Sequence, residues 1–464
     1  MARKPPPDID SPIPGSSALP SQPNWETESA SRDSIGPTSV VCGITVPHRC
    51  GNRSRLVEEI CCHHSVFRVD FTISSVGGGT VEPFLVHDVA VAGPATHALV
   101  IGVGAYPHLN GGTAKRTADH DGMEQLTSPP ISAREFAAWL ISEFHHPDKP
   151  LASVALLLSE AAPTPFVDPT DGAKSFAVAE ATSKNVEDAI KAFFKRGDQD
   201  VGNQLIFYFC GHGIGQGTDT ALLLADYGQD ELNALRGAID FRILRLGMNR
   251  CKAANQIYFV DACRSSTDTL IEAAGNAGLV VIGAGPRPHG LEPRRAPVFY
   301  ATHNGFKAYA LPGQATIFTE ALLKGLRDLG ADDDMGDWRV TTGKLQTAVE
   351  HVAERAAADI EKRQVPTADD VSNFYLTFIK DIPDALVYVV SNPPDAIDTA
   401  SLSFQLAGGA LINAPVAGRK PQLWALQLPS GDYEFTAVFG AKPPQKVRNH
   451  VHPTFRQVTI AVPP

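Results

Sequence analysis

The stretch QLIFYFCGHGIGQG, Gln204 to Gly217, decides how this chain is read. Strand-forming residues from Leu205 to Cys210 run directly into Gly211, His212 and Gly213, so an imidazole sits between two residues without side chains. An unbroken apolar run of this kind, closed by turn residues, reads as a strand buried on both faces. A second run, IYFVDACRSS from Ile257, ends in the same way on Cys263, which lies 51 residues beyond His212.

Outward from these two runs the same rhythm extends from residue 97 to about 380. Further apolar runs, ALVIGVGAY, SVALLLS, LVVIGAG and PVFYATH, read as strands. Segments of helical period lie among them: SAREFAAWLISEFHH, VEDAIKAFFKR, IFTEALLKGLRDL and GKLQTAVEHVAERAAADIEKR. The first opens with a capping box, Ser132 with Glu135 three residues on, and the second sets Val186, Ala189, Ile190, Phe193 and Phe194 on one face. Doubly buried strands alternating with helices predict an α/β fold, a mostly parallel sheet flanked by helices. Ligands of such sheets bind beyond the carboxyl ends of the strands, which is where His212 and Cys263 stand.

The flanking regions differ in style. Residues 1–95 read as a low-order arm, rich in Pro and Ser over the first forty residues and followed by Cys42, His48, Cys50, Cys61, Cys62, His63 and His64. Clustered Cys and His raise the question of zinc, but CCHH puts four candidates on adjacent positions that cannot all face one ion, and no metal is expected. Residues 96–382 form the α/β domain. Residues 383–464 change to short alternating strands, ALVYVVS, SLSFQLA, QLWALQL, YEFTAVF and RQVTIAV, separated by Pro, Gly and Asn; they predict a small all-β, antiparallel sandwich.

Composition narrows the function classes. The 464 residues carry a net charge of −11, divided as −3 for residues 1–95, −10 for 96–384 and +2 for 385–464. That balance argues against nucleic acid as a partner and suits a basic one. There is no apolar run long enough for a membrane span, the opening MARKPPPDIDSPIPG has no apolar segment after its basic residues, and the seven cysteines follow no disulfide framework, so a cytoplasmic protein is expected. Gly102 and Gly104 hint at a dinucleotide loop, yet position 107, where the third glycine belongs, is Pro. G-x-S-x-G, P-loop and H-E-x-x-H patterns are absent.

A Gly-His-Gly turn or a buried cysteine is unremarkable by itself; the two together, ending two apolar strands, supply the thiol and imidazole of cysteine-protease chemistry. His212 would take the proton of Cys263 and later return it to the leaving amine. The backbone N–H groups of Gly213 and Cys263 would meet the negative oxygen of the tetrahedral intermediate, with Gly213 letting the carbonyl come close.

FYFCGHG and FVDACRS resemble the His and Cys motifs of the caspase-fold peptidases: caspases, metacaspases and their prokaryotic relatives. The resemblance covers about 280 residues, from HALVIGVGAY through ATSKNVEDAI to PVFYATHNGFKAYALPGQATIFTEALLKGL, in family order. It implies a cysteine endopeptidase acting on protein or peptide substrates through an acyl-enzyme. Caspases carry Gln two residues before the nucleophile, whereas this chain has Asp261, as do metacaspases and clostripain-like peptidases. The resemblance therefore implies cleavage after Arg or Lys, with Asp261 reading the basic side chain. Cys210 matches the place of a pocket Ser in metacaspases, and either lines that pocket or fills core volume.

A second acid is expected in the loop AKRTADHDGM, from Asp119 or Asp121, but Lys115 and Arg116 lie in the same loop and would favour the opposite preference. The loop GPRPHGLEPRRAPVFY offers Arg294 and Arg295 as self-processing sites if it is exposed. Asp332, Asp333 and Asp334 raise calcium activation, as in some metacaspases, although no EF-hand pattern surrounds them and no cofactor is required by the dyad. The β-sandwich is the expected surface for a protein partner. A different reading keeps the fold and discards the activity: a catalytically silent scaffold or signalling adaptor acting through its β-module.

Overall fold

The computed structural model describes residues 82–216, 219–264, 278–333, 336–370 and 372–464; the Cys/His cluster at 42–64 lies outside them. The α/β part is built on strands β1 (Leu85–Asp88), β2 (Thr96–Val103), β3 (Leu151–Ser159), β4 (Gln204–Gly211), β5 (Gly213–Gln216), β6 (Asp219–Leu223), β7 (Ala238–Asp240), β8 (Asn255–Ala262), β9 (Val298–Tyr300) and β10 (Thr367–Asp369). Its helices are α1 (Ser128–Ser142), α2 (Ser183–Gly197), α3 (Phe241–Met248), α4 (Ile317–Lys324) and α5 (Thr342–Asp359). The main sheet runs β1-β3-β2-β4-β8-β9-β10, with Ala179–Glu180 added on β3. Its inner pairs are parallel, and the outer strands β1 and β10 are antiparallel to their neighbours.

The pleat sorts β4 into two cores. Leu205, Phe207 and Phe209 join Val186, Ile190 and Phe241 on the α2/α3 face, whereas Ile206, Tyr208 and Cys210 join Phe136, Phe259, Phe318 and Val349 on the α1/α4/α5 face. This explains why the run has no polar alternation: both faces are covered. Phe136 stacks on Tyr208 with ring centroids 4.6 Å apart, fixing α1 over the centre of the sheet. Gly102 and Gly104 serve this packing, since a Cβ on Gly102 would lie 2.6 Å from Ala133 Cβ and one on Gly104 2.4 Å from Leu126 O.

Two local expectations need correction. Helix α1 starts at Ser128, four residues before the expected cap, because Pro129 and Pro130 fit a first turn that needs no N–H donors. Ser132 is consequently inside the helix and buried, and its Oγ accepts the Thr316 N–H at 2.9 Å. LVVIGAG is not a strand; only Leu279 bridges Ile239, and Val280 is 54% exposed. The place beside β8 is filled by β9, and the run covers α3 instead, where a Cβ on Gly247 would lie 2.2 Å from Ile282 O.

The C-terminal strands β11 (Asp384–Asn392), β12 (Ser401–Leu406), β13 (Leu423–Pro429), β14 (Gly431–Val438), β15 (Gln445–Val451) and β16 (Phe455–Ala461), with the two-residue strands Ile412–Asn413 and Arg419–Lys420, form two four-stranded sheets. Val387, Val389, Phe404, Trp424, Phe435 and Val458 share one core between them. The expected antiparallel pattern holds except for β11 and β16, which pair in parallel. Phe455 stacks on His351 of α5 at 4.2 Å.

Candidate functional site

β4 and β8 are adjacent and parallel, with Cys210 opposite Asp261 and Gly211 opposite Ala262. His212 and Cys263 therefore leave the sheet at the same level, one residue further on each strand. A cavity of about 380 Å³ opens there, lined among others by Cys210, His212, Asp261, Cys263, Tyr309 and Thr316. Its size is that of a small-ligand or single-side-chain pocket. A larger cleft, about 1310 Å³, lies at the amino-terminal ends of the strands around Lys149, Asn255, Arg295 and Lys344, at the opposite end of the sheet from Cys263 and His212.

His212 is fixed at three points. Its N–H donates to the Tyr106 hydroxyl at 2.8 Å, its carbonyl accepts the Leu223 N–H at 3.0 Å, and Nε2 lies 2.8 Å from the Glu124 carbonyl. A carbonyl only accepts, so Nε2 carries the hydrogen and the neutral ring keeps its lone pair on Nδ1. Burial lowers the imidazole below its ordinary 6.5, against a smaller upward pull from the Glu124 carbonyl. The flanking glycines are now explained: a Cβ on Gly211 would lie 2.8 Å from the Tyr106 hydroxyl, and one on Gly213 would lie 2.7 Å from Cys263 O and 2.9 Å from Ala262 Cβ. Gly213 is thus required for the close approach of the end of β8, which occupies the place its side chain would take.

Cys263 is half-buried, and its Sγ accepts the Ala308 N–H at 3.4 Å. The thiol also points back to the Ala308 carbonyl at 3.9 Å. Among the described residues no hydrogen bond joins it to His212. Burial pushes the thiol above its ordinary 9.0; the Ala308 N–H opposes that, the Asp261 charge adds to it, and Lys307 lowers it. A raised thiol beside a lowered imidazole keeps the resting pair neutral, with the proton on sulfur.

Asp261 is 2% exposed. Its Oδ2 accepts from Thr316 Oγ1 and, at 2.7 Å, from Thr319 Oγ1, while Oδ1 has no hydrogen-bond partner. Thr316 also caps α4, accepting the Thr319 N–H at 3.1 Å. Burial pushes the carboxyl up to about 6, against the lowering effect of the two threonine donors and a smaller one from the neighbouring Cys210 thiol. Cys210 lines the cavity and also belongs to the α1/α4 core. Burial, with the Asp261 charge added, pushes its thiol well above 9.0.

The structure does not bring Asp121 to the cavity. It lies exposed in the loop after β2 with a left-handed φ of 43°. Lys115 pairs with Glu231 at 2.6 Å and Arg116 donates to Asn110 at 2.8 Å, both exposed, so Arg116 does not enter the pocket either. Arg294 is not a free loop residue: it donates to Gln256 Oε1 at 2.8 Å and to Arg245 O at 2.6 Å, and Arg295 bridges Asn255. Asp332 and Asp333 meet His452, with ligand atoms within 4.8 Å; Asp334 lies outside the described residues. Among the described residues this cluster offers two carboxylates and an imidazole, one carboxylate being paired with Lys344 at 3.3 Å, against the roughly six to eight oxygens calcium takes.

Sequence reasoning missed Tyr106, Glu124, Ala308, Thr316 and Thr319. Tyr106 was within reach, since it follows the carboxyl end of β2, the neighbour of β4. Thr316, just before an apolar helical run, carried a cap signal. Glu124 and Ala308 act through backbone groups and leave no mark in residue type.

The profile of the "Caspase domain" family matches residues 95–375, more than half of the chain. The chain is 28% identical over 213 residues to "Uncharacterized protein y4kE" of Sinorhizobium fredii, covering 46% of this chain and 60% of that protein. The crystal structure of caspase-1 from Spodoptera frugiperda aligns with a TM-score of 0.34 at 12% identity, over 66% of this chain and 96% of that one. No helix among the described residues is long and apolar enough to cross a membrane. With its mixed sheet, flanking helices and family match, the chain belongs to the caspase-domain family and carries that cysteine-peptidase fold.

Proposed function

We propose that this protein is a cysteine endopeptidase that cuts after Arg or Lys. One observation carries the reading: a buried carboxylate with an unpartnered oxygen, Asp261, lines the same small cavity as a thiol and a histidine whose lone pair is on Nδ1. A basic side chain entering the cavity would give Asp261 Oδ1 its missing partner and pull the carboxyl fully into its ionised form. The acidic balance of residues 96–384 would draw basic segments towards it.

In this mechanism His212 Nδ1 accepts the Cys263 proton as sulfur attacks the scissile carbonyl and the S–C bond forms. The oxyanion is met by the N–H groups of Gly213 and Cys263. The intermediate collapses as the C–N bond breaks, and His212 passes its proton to the leaving amine. Water, deprotonated by His212, then attacks the acyl-enzyme and releases the acid and the free thiol. Sulfur must first leave the Ala308 N–H, so substrate entry along the 306–310 segment would start the reaction. The test is hydrolysis of an Arg-containing fluorogenic peptide by the full chain, with Cys263→Ala as control. Turnover lost in the variant supports the reading; turnover unchanged contradicts it, and no turnover with any basic peptide favours the silent scaffold.

A further inference from the structure

We propose that Tyr106 and Gln125 form a positioning frame for His212, in which one holds the main chain of the histidine and the other holds the carbonyl that orients its ring. The inference rests on the reading of His212 as the base.

The Tyr106 hydroxyl closes a small cycle of hydrogen bonds. It accepts the His212 N–H at 2.8 Å and donates to the Leu223 carbonyl at 3.4 Å, while the Leu223 N–H donates to the His212 carbonyl at 3.0 Å. The phenol is fully buried, its ring centroid is 4.9 Å from that of the imidazole, and it takes no part in lining the cavity. Gly211 leaves the room this requires. Gln125 clamps the backbone of Tyr106 from the other side: Oε1 accepts the Tyr106 N–H at 2.7 Å, and Nε2 donates to the carbonyls of Tyr106 at 2.9 Å and Asn110 at 3.0 Å. That clamp also sets the neighbouring residue, Glu124, whose carbonyl accepts His212 Nε2–H. Main chain and ring of the histidine are thus referred to one point, the backbone of residue 106. The hydroxyl of Tyr106 and the amide of Gln125 act through His212, so both are positioning residues.

The consequence is kinetic. A base displaced by about 1 Å from its working geometry loses on the order of a hundredfold in rate. Removing the hydroxyl by Tyr106→Phe leaves the His212 N–H without its acceptor in a buried place, which the chain relieves by shifting the histidine.

The test measures alkylation of Cys263 by iodoacetamide in the full chain, read by mass spectrometry as a function of pH, beside thermal melting. In this step the S–C bond forms, iodide leaves and His212 takes the thiol proton. The wild type is expected to show a rate that depends on His212, with its acid limb below pH 6.5. Tyr106→Phe is expected to react about tenfold more slowly at neutral pH, with its acid limb moved up towards 6.5 as the ring loses its enclosure. A lower melting temperature with an unmoved limb and rate would overturn the frame, because a merely structural tyrosine affects only the melting. A wild-type rate unchanged by His212→Ala would instead overturn the reading of the base, and the frame with it. Should Tyr106→Phe not fold, Gln125→Met takes its place with the same two outcomes, since it removes the hydrogen bonds to the backbones of residues 106 and 110 while keeping a side chain of similar size at the cavity wall.

Discussion

Strands β4 and β8 end in opposite ways. At their amino-terminal ends stand Gln204 and Gln256, both wholly buried, whose amides tie neighbouring segments together. Gln204 donates to Leu376 O at 3.0 Å; Gln256 donates to Met248 O and Ala253 O at 3.2 Å and accepts from Tyr258 and Arg294. At the carboxyl-terminal ends, roughly 23 Å along the strands, Asp261 keeps an oxygen without a partner and His212 keeps a free lone pair in the proposed tautomer. Both ends are buried and polar. What separates them is chemistry: at one end neutral amides hold neighbouring segments together, with Gln204 Oε1 left without a partner, whereas at the other an ionisable carboxyl and a base are left ready for something the chain does not supply.

That contrast breaks most visibly at Cys263. Cys263→Ala is expected to lower hydrolysis of an Arg peptide at least about a thousandfold with melting little changed, as measured by initial rates and calorimetry. Asp261→Asn comes next: kcat/KM for an Arg peptide should fall by about a hundredfold or more, while a peptide with a neutral residue before the cut should lose much less. The same variant tests the burial of the carboxyl. Its folded value of about 6, above an ordinary 3.8, means that Asp261 favours the folded state below pH 3.8 and that this contribution is lost as pH rises through 6, on the order of 3 kcal/mol. Asp261→Asn should therefore melt higher relative to wild type at pH 7.5 than at pH 4.

A smaller effect concerns the pH profile. Because burial lowers His212, the neutral base persists to lower pH, and the acid limb of kcat/KM should fall below pH 6.5; a limb above that value would contradict the enclosed imidazole. The smallest effect on activity belongs to the other end of the strands. Gln256→Leu should cost about 1–3 kcal/mol of stability, through the groups it leaves unpaired, and change kcat/KM by less than about twofold. A large loss of activity there would erase the distinction between the two ends.

The pairing of β4 with β8 was legible because doubly buried strands are written as unbroken apolar runs, and both runs end on residues with chemistry. LVVIGAG shows the limit of that signal. An apolar run states that a segment is covered, not by what, and here the segment covers α3 while β9 takes the sheet position. Ser132 shows a second limit: its spacing to Glu135 fits a cap, but Pro129 and Pro130 already begin the helix, and the hydroxyl goes to Thr316 instead. In the site, His212, Cys263 and Asp261 were legible by residue type. Glu124 and Ala308 were not, because every residue has a carbonyl and nearly every one an N–H, and only the fold selects which is used. Asp121 failed for a related reason: the loop after β2 is long enough to turn its acids away from the cavity.

The central claim, that Cys263 is a nucleophile served by a pocket for basic side chains, meets its most direct test in affinity labelling. Full-length protein is treated with peptide chloromethyl ketones ending in Arg or in Asp, and the adduct is located by mass spectrometry. The account predicts that the Arg reagent alkylates Cys263 rapidly, with loss of chloride, that Cys210 and Cys251 stay unmodified, and that the Asp reagent reacts far more slowly. Equal labelling by both reagents, or preference for the Asp reagent, would contradict it.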